Sequence, residues 1–401
     1  MLYFFKMSPF IDINYKLKCP ECHREFAVDQ VQTYCPDCRS PLVTEYDLAG
    51  LRKTLDREEI RHRARGMWRW RELLPVRDAR FMISLGEGDT PLLKVPRLAE
   101  SCGAHDLLVK DESLNPTGSF KARGLAVAVS KAVELGLRDF VIPTAGNAGG
   151  ALAYYAGRAG CNAHVFMPKD TPVPIQYEVR MAGADLRLVD GLINDAARLA
   201  SADAARSGWF DMSTFKEPFR VEGKKIMGYE IAEALGWDLP DVIIYPTGGG
   251  TGLVGMWKAF DEMEALGWIG SKRPRMIAVQ AEGCAPVVRA FQTGNERIEP
   301  WSNAATIALG LRVPAVFADR LVMRSLYDSN GMAVSVTDAE IRKAQHSLAR
   351  LEGILAAPEG AAAVAALEIL LQRGEIKVYE KIIIFNTGSG LKYFTGFKDS
   401  E

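Results

Sequence analysis

Asp241-Val-Ile-Ile-Tyr245-Pro-Thr-Gly-Gly-Gly-Thr-Gly252 decides how this chain folds. An apolar run, Val242 to Tyr245, ends in a glycine cluster, after which Leu253, Met256, Trp257 and Phe260 open a helix. Strand, turn and helix in that order are half of a βαβ unit, and in such sheets ligands sit beyond the C-terminal ends of the strands. Glycines without Cβ let several backbone N–H groups converge on a phosphate, and the N-terminal dipole of the next helix favours its charge. Gly248, Gly249, Gly250, Thr251 and Gly252 are therefore a candidate phosphate cradle, with a simple tight turn as the alternative. The loop has neither the lysine of a P-loop nor a spaced G-x-G-x-x-G, so the phosphate would belong to a group that supplies its own chemistry.

Outward from this loop the texture repeats. Leu107-Leu-Val109, Phe140-Val-Ile142, His164-Val-Phe-Met167, Leu186-Arg-Leu-Val189, Met276-Ile-Ala-Val279 and Ile382-Ile-Ile-Phe385 also read as buried parallel strands. Helical segments lie between them. Leu125, Val129 and Val133 repeat at i, i+4 and i+8 before Gly136, and Ala148 to Gly160 is similarly small and apolar. The fold class is α/β, and at 401 residues two lobes plus a short accessory module are expected.

Two further turns carry chemistry. In Asn115-Pro-Thr-Gly-Ser-Phe-Lys121, a lysine among small and apolar neighbours loses solvation as an ammonium, its pKa falls, and it becomes a competent imine former. An ordinary surface charge at a helix start is the other reading. Thr144-Ala-Gly-Asn147-Ala-Gly-Gly150 again follows a strand and opens a helix. It offers backbone donors to a carboxylate and an amide to a cofactor oxygen, unless its small residues serve only helix packing.

Cys19-Pro-Glu-Cys22 and Cys35-Pro-Asp-Cys38, twelve residues apart, predict a four-cysteine zinc ribbon. The metal would give a piece of about 30 residues the folding energy that its small core lacks. A closed four-thiolate site has no open position for catalysis, so the zinc is expected to be structural; a nucleic-acid-binding ribbon is the alternative. Cys102, Cys161 and Cys284 are scattered, and each reads as a small buried residue. With 48% hydrophobic and 25% charged residues and a net charge of -1, no basic field for nucleic acid or anionic membrane is present. Ile354 to Leu371 is interrupted by Pro358, Glu359 and Glu368, and Met1-Leu-Tyr-Phe-Phe5 is too short for a secretory core; a cytoplasmic protein is expected.

With Leu85-Gly-Glu-Gly-Asp-Thr-Pro-Leu92 ahead of these turns and Asn386-Thr-Gly-Ser-Gly-Leu-Lys392 after the last apolar strand, the chain resembles the threonine synthases. These are fold-type-II pyridoxal-phosphate (PLP) enzymes, related to the tryptophan synthase β chain, and the match runs over most of residues 84–395. The resemblance implies two open twisted α/β lobes with an N-terminal zinc ribbon. Residues 1–48 would be the ribbon, 49–80 a helical connector, and 81–401 the catalytic region, with the smaller lobe roughly within 122–225.

Carried over by position, Lys121 is the Schiff-base lysine, Asn147 faces the cofactor's phenolic oxygen, Gly248 to Gly252 hold its phosphate, and Thr387 meets the pyridine nitrogen. A neutral hydroxyl there suits elimination better than transamination. Thr144 and Gly146 are the candidate contacts of the substrate carboxylate. Ser213, Arg220 and Lys224 match the family's segment for the substrate phosphate, a solvent-facing helix start being the alternative. The implied reaction converts O-phospho-L-homoserine and water to L-threonine and phosphate, in a homodimer. Ala122, Ala148, Ser389 and Tyr393 depart from the family's usual residues. A threonine or serine dehydratase-like lyase, a phosphoserine-using paralogue and a zinc-ribbon binding protein on a degenerate scaffold are the rival readings.

Overall fold

The computed structural model describes residues 10–393. The run Met1 to Phe5 and the end of the catalytic region beyond Tyr393 lie outside the described residues. Thirteen strands run in chain order. They are β1 (Tyr15–Lys18), β2 (Glu25–Phe26), β3 (Val43–Tyr46), β4 (Leu92–Lys94), β5 (Asp106–Asp111), β6 (Asp139–Pro143) and β7 (Asn162–Pro168). Then come β8 (Asp185–Val189), β9 (Phe210–Asp211), β10 (Val242–Pro246), β11 (Arg275–Ala281), β12 (Met332–Val336) and β13 (Lys381–Asn386).

They form three sheets, ordered β2-β1-β3, β12-β11-β10-β13-β5-β4 and β8-β7-β6-β9. The six-stranded sheet is parallel except for β4, and the four-stranded sheet is wholly parallel. All seven apolar runs read as strands are strands, because near-continuous Val, Ile and Leu suit a sheet covered on both faces. Short β4, β9 and β12 carry no comparable run. The chain is thus α/β with the twofold sheet arrangement expected of fold-type-II PLP enzymes.

Five helices position the site: α1 (Lys121–Glu134), α2 (Asn147–Arg158), α3 (Arg220–Ala234), α4 (Thr251–Ala265) and α5 (Pro358–Gln372). The turn after each of strands β6, β10 and β13 delivers a motif to one place, and α3 packs against both α1 and α4 behind it. Their buried faces join Tyr15, Leu17 and Tyr46 of the ribbon and Trp70 of the connector in one large core. Residues 49–80 do not form a continuous helix. Asp47 and Asp56 cap two short helices, Leu48–Thr54 and Arg57–Arg61, and Gly66 at φ 113 breaks the path before the 3-10 turns of Met67–Leu73.

The ribbon's two knuckles share one geometry. His23 N–H donates to the Cys19 carbonyl and Arg39 N–H to that of Cys35, at 3.0 and 2.8 Å. Both His23 and Arg39 sit in the left-handed region. Four Sγ atoms result, all within 4.8 Å of one another.

Candidate active site

The glycine loop is held in its shape by close packing. Gly250, at φ +81, has Val322 where a Cβ would stand, and a Cβ on Gly252 would overlap the Tyr245 hydroxyl. Among the described residues, the backbone N–H groups of Gly248, Gly249, Gly250, Thr251 and Gly252 find no protein acceptor. Such donors at the start of α4 are a ready anion site.

Lys121 lies at the first turn of α1, and the loop that precedes it is pinned across the sheet. Phe120 N–H donates to the Thr387 carbonyl (3.1 Å) and Ser389 N–H to the Gly118 carbonyl (2.9 Å). The Lys121 amine stands 4.1 Å from the Phe120 ring centre and, among the described residues, forms no ion pair. Burial, helped by the nearby Arg220 charge and opposed by Glu359, pushes its pKa down to about 7.

Lys121, Asn147, Gly248 to Gly252 and Thr387 line one cavity together with Phe120, Tyr245, Glu359 and Tyr393. Asn147 donates from Nδ2 to the Tyr393 hydroxyl at 3.3 Å, while its buried Oδ1 has no partner. Tyr393 in turn donates to Glu359 Oε1 (2.8 Å), which also accepts from Gly310 N–H (2.6 Å). Glu359 Oε2 is buried and unpartnered, and burial raises the carboxyl's pKa. Glu359 was not singled out in the sequence: Pro358-Glu-Gly360 at the head of an alanine-rich helix looks like first-turn helix chemistry.

A second hollow of about 220 Å³ adjoins this cavity through Lys121, Asn147, Gly249 and Gly310. Thr144, Gly146, Ser213, Thr214 and Arg220 line it. Thr144 Oγ1 accepts from Gly146 N–H at 3.1 Å, which sets the turn before α2. Ser213 donates its hydroxyl to Asp211, and Arg220 Nη1 donates to the Met212 carbonyl (2.8 Å) and Thr214 Oγ1 (3.3 Å). Arg220 is 1% exposed and, among the described residues, its side chain forms no ion pair and its Nε has no partner; burial lowers its pKa, against the charges of Glu217 and Asp211. A buried guanidinium without an anion is a costly arrangement unless a ligand supplies one.

Lys224 is placed differently. It does not line the hollow that gathers Ser213 and Arg220; its amine hydrogen-bonds Thr251 Oγ1 at the head of α4.

The pyridoxal-phosphate dependent enzyme family matches residues 83–388. The threonine synthase of Methanosarcina acetivorans is 37% identical over 379 residues, covering 94% of this chain and 92% of the relative. The chain belongs to the threonine synthase family of pyridoxal-phosphate dependent enzymes. The threonine synthase of Methanocaldococcus jannaschii is 36% identical over 376 residues, with 94% and 92% covered. Among solved structures, maize serine racemase gives a TM-score of 0.65 at 22% identity over 75% of this chain and 88% of that one, a likeness of fold alone. The residues present fit the family's cofactor: the free loop donors suit a phosphate, and the unpaired Lys121 amine suits an aldehyde.

Proposed function

We propose that this chain converts O-phospho-L-homoserine and water to L-threonine and phosphate, with Lys121 as the covalent attachment point of PLP. One observation carries the substrate: the buried, unpaired Arg220 in a hollow that opens onto Lys121. It is a second anion site, beside the one in the glycine loop, and the reaction involves two phosphates. When bound, PLP supplies the electron sink that acidifies the substrate's Cα and Cβ in turn.

The chain's own residues do the rest. The substrate amine takes the place of Lys121, whose amine is then free to move protons at Cα and Cβ; a pKa near neutrality suits it to both directions. Asn147 would hold the cofactor's phenolic oxygen, and the Thr387 hydroxyl would face the ring nitrogen as a neutral partner. Thr144 and Gly146 bind the substrate carboxylate at the head of α2. Ser213 and Arg220 take the substrate phosphate and stabilise the charge that grows on it as it leaves Cγ. Ionic clasps between the two lobes, Arg312 to Asp170 (3.0 Å) and Lys392 to Glu178 (2.6 Å), favour the closed form that keeps water out until elimination is done.

Four cysteines complete the reading as a structural zinc site. Sγ separations of 3.7 Å for Cys19 to Cys38 and Cys22 to Cys35, and 3.8 Å for Cys35 to Cys38, support it. A tetrahedral site with Zn–S near ~2.3 Å has edges of about 3.8 Å. A homodimer in the cytoplasm is part of the same proposal; among the described residues no helix is long and apolar enough to cross a membrane.

Phosphate release from phosphohomoserine, phosphoserine and threonine tests the substrate. Turnover of threonine to an oxo acid without use of phosphohomoserine sinks the proposal. For Lys121, a Lys121→Ala protein that still retained borohydride-fixed cofactor would refute its role.

A further inference from the structure

Lys224 is 1% exposed, and among the described residues its side chain hydrogen-bonds only the neutral hydroxyl of Thr251. Among the described residues no carboxylate lies within ion-pairing distance of it. Burial above all opposes its protonation, the Lys121 and Arg220 charges add to this, and Glu217 works against them. Lys121 and Lys224 stand over the same Phe120 ring, 4.1 and 4.7 Å from its centre. Thr251 is the first residue of α4, so the ammonium also sits against the positive end of a helix dipole. Four unfavourable influences on one cation describe a group whose counter-ion is a ligand.

The loop says which ligand. Thr251 lines the cofactor cavity, and its oxygen accepts from Lys224, which leaves its proton for an acceptor on the cavity side. Arg220, one helical turn earlier on the same face of α3, turns instead to the hollow of Ser213 and Thr214. The path of the Lys224 side chain depends on Gly124 of α1, where a Cβ would stand 3.1 Å from Lys224 Cε and 2.8 Å from the Arg220 carbonyl.

We propose that Lys224 is the cation that balances the cofactor's phosphate at the glycine loop, a positioning residue acting through Thr251, and that it takes no part in holding the substrate's phosphate. The inference rests on the reading that Gly248 to Gly252 cradle the cofactor phosphate.

Dissociation constants of PLP and of pyridoxal, which lacks the phosphate, test it on the apo forms of the wild type, Lys224→Met and Lys224→Gln. Binding is read by the cofactor's absorbance and folding by circular dichroism. Wild type is expected to prefer PLP strongly, and either variant to lose that preference by roughly tenfold or more, as removal of a charged phosphate contact should. KM for phosphohomoserine at saturating PLP is expected to stay within about threefold. Equal weakening of PLP and pyridoxal, or an unchanged preference with a raised KM, overturns the proposal. The Gln variant, which keeps a donor for Thr251, carries the test if the Met variant does not fold. A wild type that bound pyridoxal as well as PLP would instead refute the loop assignment itself.

Discussion

Lys224 and Lys225 are neighbours on one helix, both buried, and they live in opposite electrostatic worlds. Lys225 contacts Glu222 at 2.7 Å and Glu262 at 2.9 Å, and Lys258 reaches the same two carboxylates at 2.9 and 2.6 Å. Tyr46 of the ribbon donates to Glu222 (2.9 Å) and Tyr229 to Glu262 (2.7 Å), so two cations and two anions are closed off within the protein. Among the described residues, the side chains of Lys224 and Arg220 hydrogen-bond only hydroxyl and carbonyl oxygens. The difference separates charge that holds the fold from charge held ready for a ligand. A saturated cluster loses stability when one member goes, whereas an unsaturated cation gives up function and little else.

The largest expected effect falls on the saturated side. Lys225→Met leaves two buried carboxylates to Lys258 alone and should cost about 3–5 kcal/mol in urea unfolding. Its preference for PLP over pyridoxal should not move. Arg220→Met should instead lower kcat/KM for phosphohomoserine on the order of a hundredfold while the apoprotein unfolds no more readily than wild type. If Arg220→Met lost as much stability as Lys225→Met, the contrast between the two sides would be broken.

The pH dependence sharpens the picture at Lys121. Only the neutral amine attacks an aldehyde, and burial has brought its pKa down to about 7. Capture of PLP by the apoprotein should be slow at pH 6, rise through about 7, and level off above ~8 in stopped-flow absorbance. A midpoint near the ordinary lysine value would mean that the amine is solvated. The smallest effect belongs to Tyr46→Phe, which removes one hydrogen bond from Glu222 and should cost about 1 kcal/mol with unchanged kinetics.

Much of the cavity was legible in the sequence because most of its lining comes from short contiguous turns placed after apolar strands. Each turn advertises itself locally, and the sheet brings strand ends together without further instruction. What escaped was set by packing between distant helices. Glu359 enters the cavity from α5, and no feature of Pro358-Glu-Gly360 says that the head of this helix faces Lys121. Lys224 is grouped with Arg220 and Ser213 by the resemblance of their segment to the family's, and the sequence does not show that its side chain, passing Gly124, reaches Thr251. The fully buried cluster of Arg123, Glu112 and Glu230 is equally silent in sequence, since its members come from three separated segments. Helical spacing gives a face; it does not name the neighbour on that face.

The last strand among the described residues is not at the margin of its sheet. β13 lies between β10 and β5, and the turn after it pins the loop of Lys121. While the chain is being synthesised, β5 and β10 therefore both present unpaired edges until Lys381 and the residues after it have left the ribosome. The lysine loop lacks its bonds to Thr387 and Ser389 during that interval, so cofactor capture is tied to the docking of β13 and the turn after it. A chain stopped short of β13 would keep Lys121 and the glycine loop, lose Thr387 and Tyr393, and expose two sticky edges, which marks it for aggregation or degradation in place of slow, partial catalysis.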